Sequence, residues 1–174
     1  MTADDLIEQL NLVPHPEGGF YRETYRSSVS LMQSDLPPVY TGARSASTCI
    51  YYLLVGDRFS CMHRICTDEI FHFYAGDSVE MLQLFSEPVL TSRRITIGNR
   101  LELGESPQYV VPANSWQGFR LKPISNSAGV AGFALLGCTV APGFDFADYE
   151  EGLCSELSNQ FPEEADLIVA LTRQ

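Results

Sequence analysis

The chain is short of lysine, because ten of its 11 basic residues are arginine and only Lys122 is lysine. Acidic residues number 22, which gives a formal net charge of −11 at pH 7. This charge repels phosphate backbones and anionic lipid surfaces. We therefore expect neither a nucleic acid nor a membrane as a partner. The net charge does not exclude a small anionic ligand, because an arginine guanidinium can bind a carboxylate or a phosphate.

Cysteine is also scarce, and its spacing forms no familiar pattern. The chain has five cysteines, an odd number, and no C-x-x-C pair. This excludes a disulfide framework and a cysteine zinc site. We expect reduced, mostly buried thiols.

Signals for export and for crossing a membrane are lacking. The first 21 residues contain no lysine or arginine and no apolar core of a signal peptide. The longest apolar stretch, residues 128–141, is too short and too broken by glycine to span a bilayer. We therefore expect a cytoplasmic protein. The motifs G-x-S-x-G, G-x-G-x-x-G and the P-loop are absent as well, so serine hydrolase and dinucleotide chemistry have no support.

The length and the charge distribution suggest one domain with an acidic end. A chain of 174 residues suits one domain, and 45% hydrophobic residues exclude disorder. Residues 145–174 hold eight acids and one base, a net charge of −7. We expect a barrel over about 18–144, then an acidic helical tail over 145–174 that packs on the barrel and forms a solvated outer layer with no part in the site.

Short strands dominate the predicted secondary structure. Thr2-x-x-Asp5 has capping-box form and predicts a short opening helix, which the turn at residues 14–19 ends. Glycine and proline turns then separate strands at 20–25, 48–55, 59–65, 69–74, 79–85, 94–97, 109–111, 116–121 and 130–140. Such spacing predicts an all-β sandwich or barrel. Residues 27–43 form a long loop, a candidate lid or dimer arm, and Pro162 begins a helix that runs to about Thr172.

The most informative stretch is Gly56-x6-His63-x-Ile65-x3-Glu69-x6-Gly76. Residues two apart on a strand share a face, and a hairpin turn returns the glutamate to that face. The stretch resembles the first cupin motif, G-x5-H-x-H-x3,4-E-x6-G. It departs from that motif at Ile65, which stands where the second histidine belongs, and by one extra residue before His63.

A second stretch, residues 104–121, resembles the second cupin motif, G-x5-P-x-G-x2-H-x3-N. Pro112 matches, and Asn114 replaces the turn glycine, which asparagine tolerates because it accepts a positive φ. Gln117 replaces the metal-binding histidine.

With residues 12–26 upstream, these stretches resemble the family-five branch of the cupin superfamily, a domain of unknown function. The resemblance covers roughly residues 6–150 and implies a double-stranded β-helix, the RmlC-like cupin jelly roll, to which the sequence adds a short N-terminal helix and C-terminal helices. It also implies a homodimer with a ligand-sized cavity in the barrel. It supplies no known reaction.

The resemblance also identifies candidate site residues. Metal-binding cupins use three histidines and a glutamate, of which His63 and Glu69 remain, with Gln117 in a ligand position. Two good ligands rarely hold a divalent metal tightly, so no cofactor is expected. The other interpretations of His63 are a structural histidine that faces a polar cavity and a catalytic base hydrogen-bonded to Glu69, with its pKa raised by that carboxylate.

Other residues are expected to shape the cavity. Alternation puts Phe71 and Phe73 on the face of Glu69, and Phe119 on the face of Gln117, whereas His72 lies on the opposite face. These aromatics predict a small-molecule site or simply barrel core.

Gly19-Phe20-Tyr21-Arg22-Glu23 resembles the G-F-F-x-E strand of sugar-nucleotide 3,5-epimerases. The resemblance implies ligand binding by Tyr21 and Glu23, with Arg22 beside them. The alternative is an edge strand at a dimer interface.

Three functions follow from these patterns. The first is binding of a sugar, nucleotide or nucleotide sugar, with isomerase-like or epimerase-like acid–base chemistry at His63. Convergence of Arg22, Arg26, Arg44 or Arg120 on the cavity would favour it. The second is a metal-dependent cupin enzyme, such as a dioxygenase or isomerase, using His63 and Glu69. The third is a non-catalytic binding or storage module.

Overall fold

The structure is a computed structural model that describes residues 1–123 and 132–173. Its helices are α1 (Ala3–Gln9), α2 (Cys154–Gln160) and α3 (Ala165–Ala170). Its strands are β1 (Val13–Pro14), β2 (Phe20–Arg26), β3 (Ser30–Leu31), β4 (Arg44–Ser45), β5 (Thr48–Val55), β6 (Phe59–Ile65), β7 (Glu69–Gly76), β8 (Val79–Phe85), β9 (Thr91–Ile97), β10 (Gln108–Val111), β11 (Trp116–Leu121), β12 (Phe133–Val140) and β13 (Tyr149–Glu151). The start of the strand predicted at 130–140 lies outside the described residues.

Two antiparallel sheets form the barrel. One has the strand order β1-β2-β5-β12-β7-β10 and the other β13-β6-β11-β8-β9, while β3 pairs with β4 in a small separate sheet. The predicted all-β jelly roll is confirmed. None of the helices in residues 1–123 and 132–173 is long and apolar enough to cross a membrane.

The core lies between the two sheets and continues onto their outer faces. Between the sheets pack Tyr52, Leu54, Phe71, Met81, Phe119 and Leu136, among others. Helix α1 covers the outer face of the six-stranded sheet through Leu6. Strand β5 is therefore apolar at successive positions, because Leu53 faces the helix while its neighbours face the barrel.

The C-terminal segment packs on the barrel as predicted. Leu157, Phe161 and Ile168 are buried against Met62, Leu82 and Trp116 on the outer face of the five-stranded sheet. The predicted helix from Pro162 to Thr172 is a 3-10 turn, Pro162–Glu164, followed by α3. Strand β13 pairs with β6, so the barrel sheet extends past residue 144.

Ion pairs with arginines, one of them buried, account for part of the acidic charge in this segment. Asp148 pairs with Arg44 at 2.5 Å, and both side chains are almost fully buried. Glu164 pairs with Arg94 at 2.6 Å. Five of the eight acids are exposed, and they are Asp145, Glu150, Glu156, Glu163 and Asp166. The prediction of a solvated outer layer therefore holds for these acids and was wrong for Asp148 and Glu164, because composition does not report which arginines the acids meet.

The segment at 27–43 is less irregular than predicted. Its strand β3 pairs with β4, and residues Gln33–Asp35 form a 3-10 turn. Val29, Met32 and Val39 are exposed on it. Its role as a lid or dimer arm stays a prediction.

Candidate functional site

A cavity of about 320 Å³ opens at one end of the barrel. Strands β2, β5, β6, β7, β11 and β12 line it, together with the turn at 14–19 and residues 144–146. Four carboxyl side chains face it, and they belong to Glu17, Glu23, Glu69 and Asp145. The cavity therefore combines a few polar side chains with aromatic and aliphatic ones, a composition that is typical of small-molecule cavities.

His63 lies on β6 with its ring in the cavity wall and is 3% exposed. Its Nδ1 lies 2.7 Å from the carbonyl oxygen of Cys61. A carbonyl can only accept, so Nδ1 carries the hydrogen and Nε2 of the neutral ring is an acceptor. The ring also stacks on Tyr149, with 5.5 Å between ring centroids.

The environment of His63 favours the neutral ring. Burial lowers the pKa of His63, while the Glu69 carboxylate and the Cys61 carbonyl act in the opposite direction. Glu69 raises the pKa of His63 as predicted, but the predicted net increase was wrong, because the cost of desolvating an imidazolium outweighs the attraction to Glu69.

Gln117 lies between the two residues that were expected to contact each other. Its Nε2 donates to Oε2 of Glu69 at 2.6 Å and lies 3.2 Å from Nε2 of His63. The predicted direct bond between His63 and Glu69 is therefore replaced by an amide bridge. Gln117 itself is fully buried and lies behind the cavity wall. Its Oε1 has no hydrogen-bond partner among the described residues.

Glu69 is partly buried in the cavity wall. Burial raises the pKa of its carboxyl, while His63 and the hydrogen bond from Gln117 lower it. The amide donor fixes the orientation of the carboxyl against the cavity.

Glu17 and His15 are site residues that the sequence analysis missed. Both line the cavity, from the turn at 14–19. Oε2 of Glu17 lies 3.5 Å from Nε2 of His63 and 3.7 Å from Nδ1 of His15. Burial raises the pKa of Glu17 to about 8 and lowers the pKa of His15 to about 4. The sequence signal for these residues was the segment Pro14-His15-Pro16-Glu17-Gly18-Gly19, in which a histidine and a glutamate stand among turn-forming residues. This segment was interpreted only as a turn.

The turn is tied directly onto the barrel. The backbone N–H of Cys61 donates to the carbonyl oxygen of Glu17 at 3.0 Å, and the Tyr52 hydroxyl donates to that of Gly18 at 2.6 Å. Gly18 has φ +114 and lies against Phe59 on β6. These bonds close the end of the barrel with Glu17.

The other predicted ligand-binding residues are divided between the cavity and its surroundings. Tyr21, Glu23, Phe71 and Phe119 line the cavity, and the rings of Phe71 and Phe119 meet edge to face at 5.4 Å. Phe73 packs against the core without lining the cavity.

Strand alternation explains the positions of Arg22 and His72. Arg22 points to the other face of β2, where its guanidinium lies 5.6 Å from the centre of the Tyr51 ring. His72 bonds Thr139 at 3.1 Å and Gln108 at 3.3 Å outside the cavity, as alternation predicted.

The arginines do not converge on the cavity. Arg26 lines its mouth, and its guanidinium donates to both carboxylate oxygens of Glu23, at 2.9 and 2.7 Å. Arg44 pairs with Asp148 and Arg120 with Glu80, away from the cavity. In the part of the chain that the structure describes, Arg26 is the one arginine among the lining residues.

The C-terminal segment takes part in the site, contrary to prediction. Asp145 and Phe146 line the mouth, and Tyr149 stacks on His63. Pairing of β13 with β6 sets Glu151 opposite His63. The segment therefore positions the candidate base as well as covering the barrel.

The three candidate metal ligands do not form a ligand set. Gln117 presents an amide N–H, which cannot ligate a cation, to both His63 and Glu69. Within residues 1–123 and 132–173, no three His, Cys, Asp or Glu side chains are grouped so that they could hold a metal ion. The residues present therefore do not fit a divalent metal.

Comparison with known proteins places this geometry in a family. The structure is similar to that of a hypothetical protein from Leishmania major, with a TM-score of 0.88 and 32% identity over 100% of both chains. An uncharacterized protein of Saccharomyces cerevisiae, YML079W, is 30% identical over 155 residues, which are 85% of this chain and 74% of that protein.

More distant likenesses show the fold alone. A dTDP sugar isomerase from Desulfovibrio desulfuricans G20 has a TM-score of 0.51 and 12% identity over 82% of this chain and 87% of that one. The family model described as Cupin superfamily (DUF985) matches residues 4–151. The chain therefore belongs to the Cupin_5 family of the cupin superfamily.

Proposed function

We propose that this cupin binds a sugar, free or within a nucleotide sugar, in the cavity and moves a proton on it in an isomerase-like or epimerase-like reaction. One observation carries the proposal. His63 donates Nδ1–H to the Cys61 carbonyl, so Nε2 of the neutral ring carries the lone pair at the cavity wall. In the free protein this lone pair accepts the Gln117 amide hydrogen at 3.2 Å, and that hydrogen bond must open before Nε2 takes a proton from a ligand. A base of this kind removes a proton from a carbon next to a carbonyl group.

The lining supports a polyhydroxyl ligand. Carboxylates accept hydrogen bonds from hydroxyl groups, and aromatic rings such as Phe71 and Phe119 offer apolar surface to the C–H face of a sugar. A volume of about 320 Å³ is at the small end of ligand cavities, which suits one sugar ring. A phosphate on that sugar would contact Arg26 at the mouth and compete with Glu23 for it.

Binding is tested first. A thermal-shift screen uses aldoses, ketoses, nucleoside diphosphates and nucleoside-diphosphate sugars, because a ligand that binds only the native state raises Tm. Proton transfer is then tested in D₂O by following deuterium incorporation into each compound by NMR. We expect His63→Gln to slow exchange at least about 100-fold and His72→Gln, outside the cavity, to leave it unchanged.

The screen also separates the other two functions. Binding without exchange in the wild type would overturn the isomerase proposal and favour a binding or storage module. One metal ion per chain in the purified protein, with exchange lost on chelation, would favour the metal-dependent enzyme. Equal exchange by wild type and His63→Gln would remove His63 as the base.

The homodimer and the cytoplasmic location stay predictions. The exposed Val29, Met32 and Val39 of the 27–43 segment offer apolar contact area to a second chain. Light scattering on the wild type and on a Val29→Ser/Met32→Ser variant tests whether a dimer forms and uses this segment.

A further inference from the structure

A second ionisable group, the carboxyl of Glu17, faces His63. The proton transfer proposed above for His63 gives this carboxyl no role. Glu17 is 8% exposed, and its Oε2 lies 3.5 Å from Nε2 of His63. The Ser60 hydroxyl donates to the same oxygen at 3.4 Å. Glu17 also borders the cavity, so a ligand there would touch it.

Neither neighbouring imidazole has a hydrogen to donate to this oxygen. The backbone N–H of Glu17 donates to Nδ1 of His15 at 3.1 Å, so that nitrogen carries no hydrogen. Nε2 of His63 carries none either, because Nδ1 donates to the Cys61 carbonyl. The lone pair of His15 Nδ1 accepts the Glu17 N–H, and that of His63 Nε2 accepts the Gln117 amide hydrogen at 3.2 Å. A carboxylate here would therefore gain no hydrogen bond from either ring. The long contact with the Ser60 hydroxyl is a weak substitute for water, so burial favours the protonated carboxyl.

The groups around Glu17 agree with a protonated carboxyl. Burial raises its pKa and Glu151 acts in the same direction, while the Ser60 hydroxyl and Arg173 oppose them. Further ionisable groups that interact with Glu17 from the packed strands are Tyr52, Cys61, Glu69, Cys138 and Tyr149. A carboxyl of this kind keeps its proton near neutral pH and can therefore donate it.

Resting on the function proposed above, we propose that Glu17 is the general acid of the site and works with His63 as one proton-sharing pair on a sugar that carries a carbonyl group.

The chemistry balances without a further reactant. Nε2 of His63 takes the proton from the carbon next to the carbonyl, and the C–H electron pair becomes the new C=C bond. The carbonyl oxygen takes the proton of Glu17. An enediol, an imidazolium and a carboxylate result, so the net charge is unchanged. In the return step the imidazolium protonates the neighbouring carbon and Glu17 recovers a proton from the other hydroxyl.

The pair also explains why this step suits a buried site. The charges it creates appear together and next to each other, on His63 and Glu17. Opposite charges in contact offset much of the cost of forming each one away from water.

The first test needs no substrate. Infrared spectra of the free protein at pH 7 are compared for wild type, Glu17→Gln and the control Glu80→Gln, whose carboxyl pairs with Arg120 away from the cavity. We expect a protonated-carboxyl C=O band that Glu17→Gln lacks and Glu80→Gln keeps. A wild-type spectrum without that band would overturn the proposal, because an ionised Glu17 has no proton to give.

The second test uses whichever sugar exchanges fastest in the D₂O panel. Glu17→Gln should lower kcat about 100-fold or more with little change in KM, and Glu17→Asp should restore part of it. Exchange by Glu17→Gln at the wild-type rate would overturn the acid role and leave the role of His63 intact. Absence of exchange from the wild type would instead contradict the proposed function, while the infrared band still decides the protonation of Glu17.

Discussion

Gly18 lies so close to Phe59 that a Cβ atom added to Gly18 would overlap the carbonyl oxygen of Phe59. Gly18 also has φ +114, a backbone conformation that side chains disfavour. Because Gly18 has no side chain, the turn at 14–19 packs directly on β6. This packing places Oε2 of Glu17 3.5 Å from Nε2 of His63.

We therefore expect Gly18→Ala to destabilise the fold by about 3 kcal/mol through overlap and backbone strain. It should also reduce proton exchange, because the turn must move away from His63. The matched control is Gly56→Ala, where φ is +61 and the added Cβ meets no atom within 4 Å. That variant should cost only about 1 kcal/mol. Urea unfolding measures both, and equal costs would show that the contact with Phe59 is not what requires glycine.

The pH dependence of stability should reveal Glu17. Its pKa is about 8 in the fold against an ordinary 4.5, so between these values the folded chain keeps a proton that the unfolded chain has released. The stabilisation is complete below pH 4.5 and is lost as the pH rises through 8. His15 acts in the opposite sense, because its pKa falls from 6.5 to about 4 and stability rises across that range.

The effect of Glu17 on the free energy of unfolding is best measured above pH 7. His15 is mostly neutral there in both the folded and the unfolded chain, so its titration changes this free energy little. We expect the free energy of unfolding to fall by about 1 kcal/mol from pH 7 to pH 8 in the wild type. Glu17→Gln, which does not titrate, should show a clearly smaller fall. Urea unfolding at closely spaced pH values provides the comparison, and matching slopes in the two proteins would contradict the raised pKa.

The strands were largely predictable from sequence, and the site was predictable only in part. The ends of β5, β6, β8 and β11 agree with prediction, because alternating or continuous apolar runs between turn residues depend on local sequence alone. His63 and Glu69 were found because their spacing resembles the cupin motif. The hairpin inferred from that spacing was wrong, because β6 and β7 belong to different sheets and are not paired with each other.

Contacts between distant segments escaped prediction. Glu17 reaches His63 from a turn about 45 residues earlier in the chain, and no periodicity relates the two. Tyr149 reaches the same ring from a segment whose acidic composition favoured a solvated tail. Such contacts depend on how the sheets close, which composition and spacing do not report.

The buried pair between Arg44 and Asp148 tests the structural role of the C-terminal segment. Arg44 donates from Nε and Nη2 to the two carboxylate oxygens, at 2.7 and 2.5 Å. Asp148→Asn would leave a buried guanidinium without its counter-charge, so we expect a loss of about 3 kcal/mol. Glu150→Gln is the control, because its pair with Arg64 is much more exposed and should contribute less than about 1 kcal/mol. Similar small losses in both variants would support the solvated tail first predicted.

The absence of a metal ligand set can be tested by restoring one. Ile65 lines the cavity beside Glu69, and Gln117 is the register partner of His63 on the adjacent strand. Histidine at both positions would recreate the three histidines and one glutamate of metal-binding cupins. We expect Ile65→His/Gln117→His to bind one Mn²⁺ or Zn²⁺ per chain, since imidazole and carboxylate suit these ions.

Isothermal titration calorimetry with each ion measures the affinity, and circular dichroism checks that the variant folds. Wild type and Ile65→His are the controls and should bind at least about 100-fold more weakly, because Gln117 still presents an amide donor to His63 and Glu69. A folded double variant that binds no metal would mean that these four positions do not converge in the barrel. Tight binding by the wild type would instead show that Gln117 turns its oxygen toward the ion, and the metal-dependent function would then replace the one proposed.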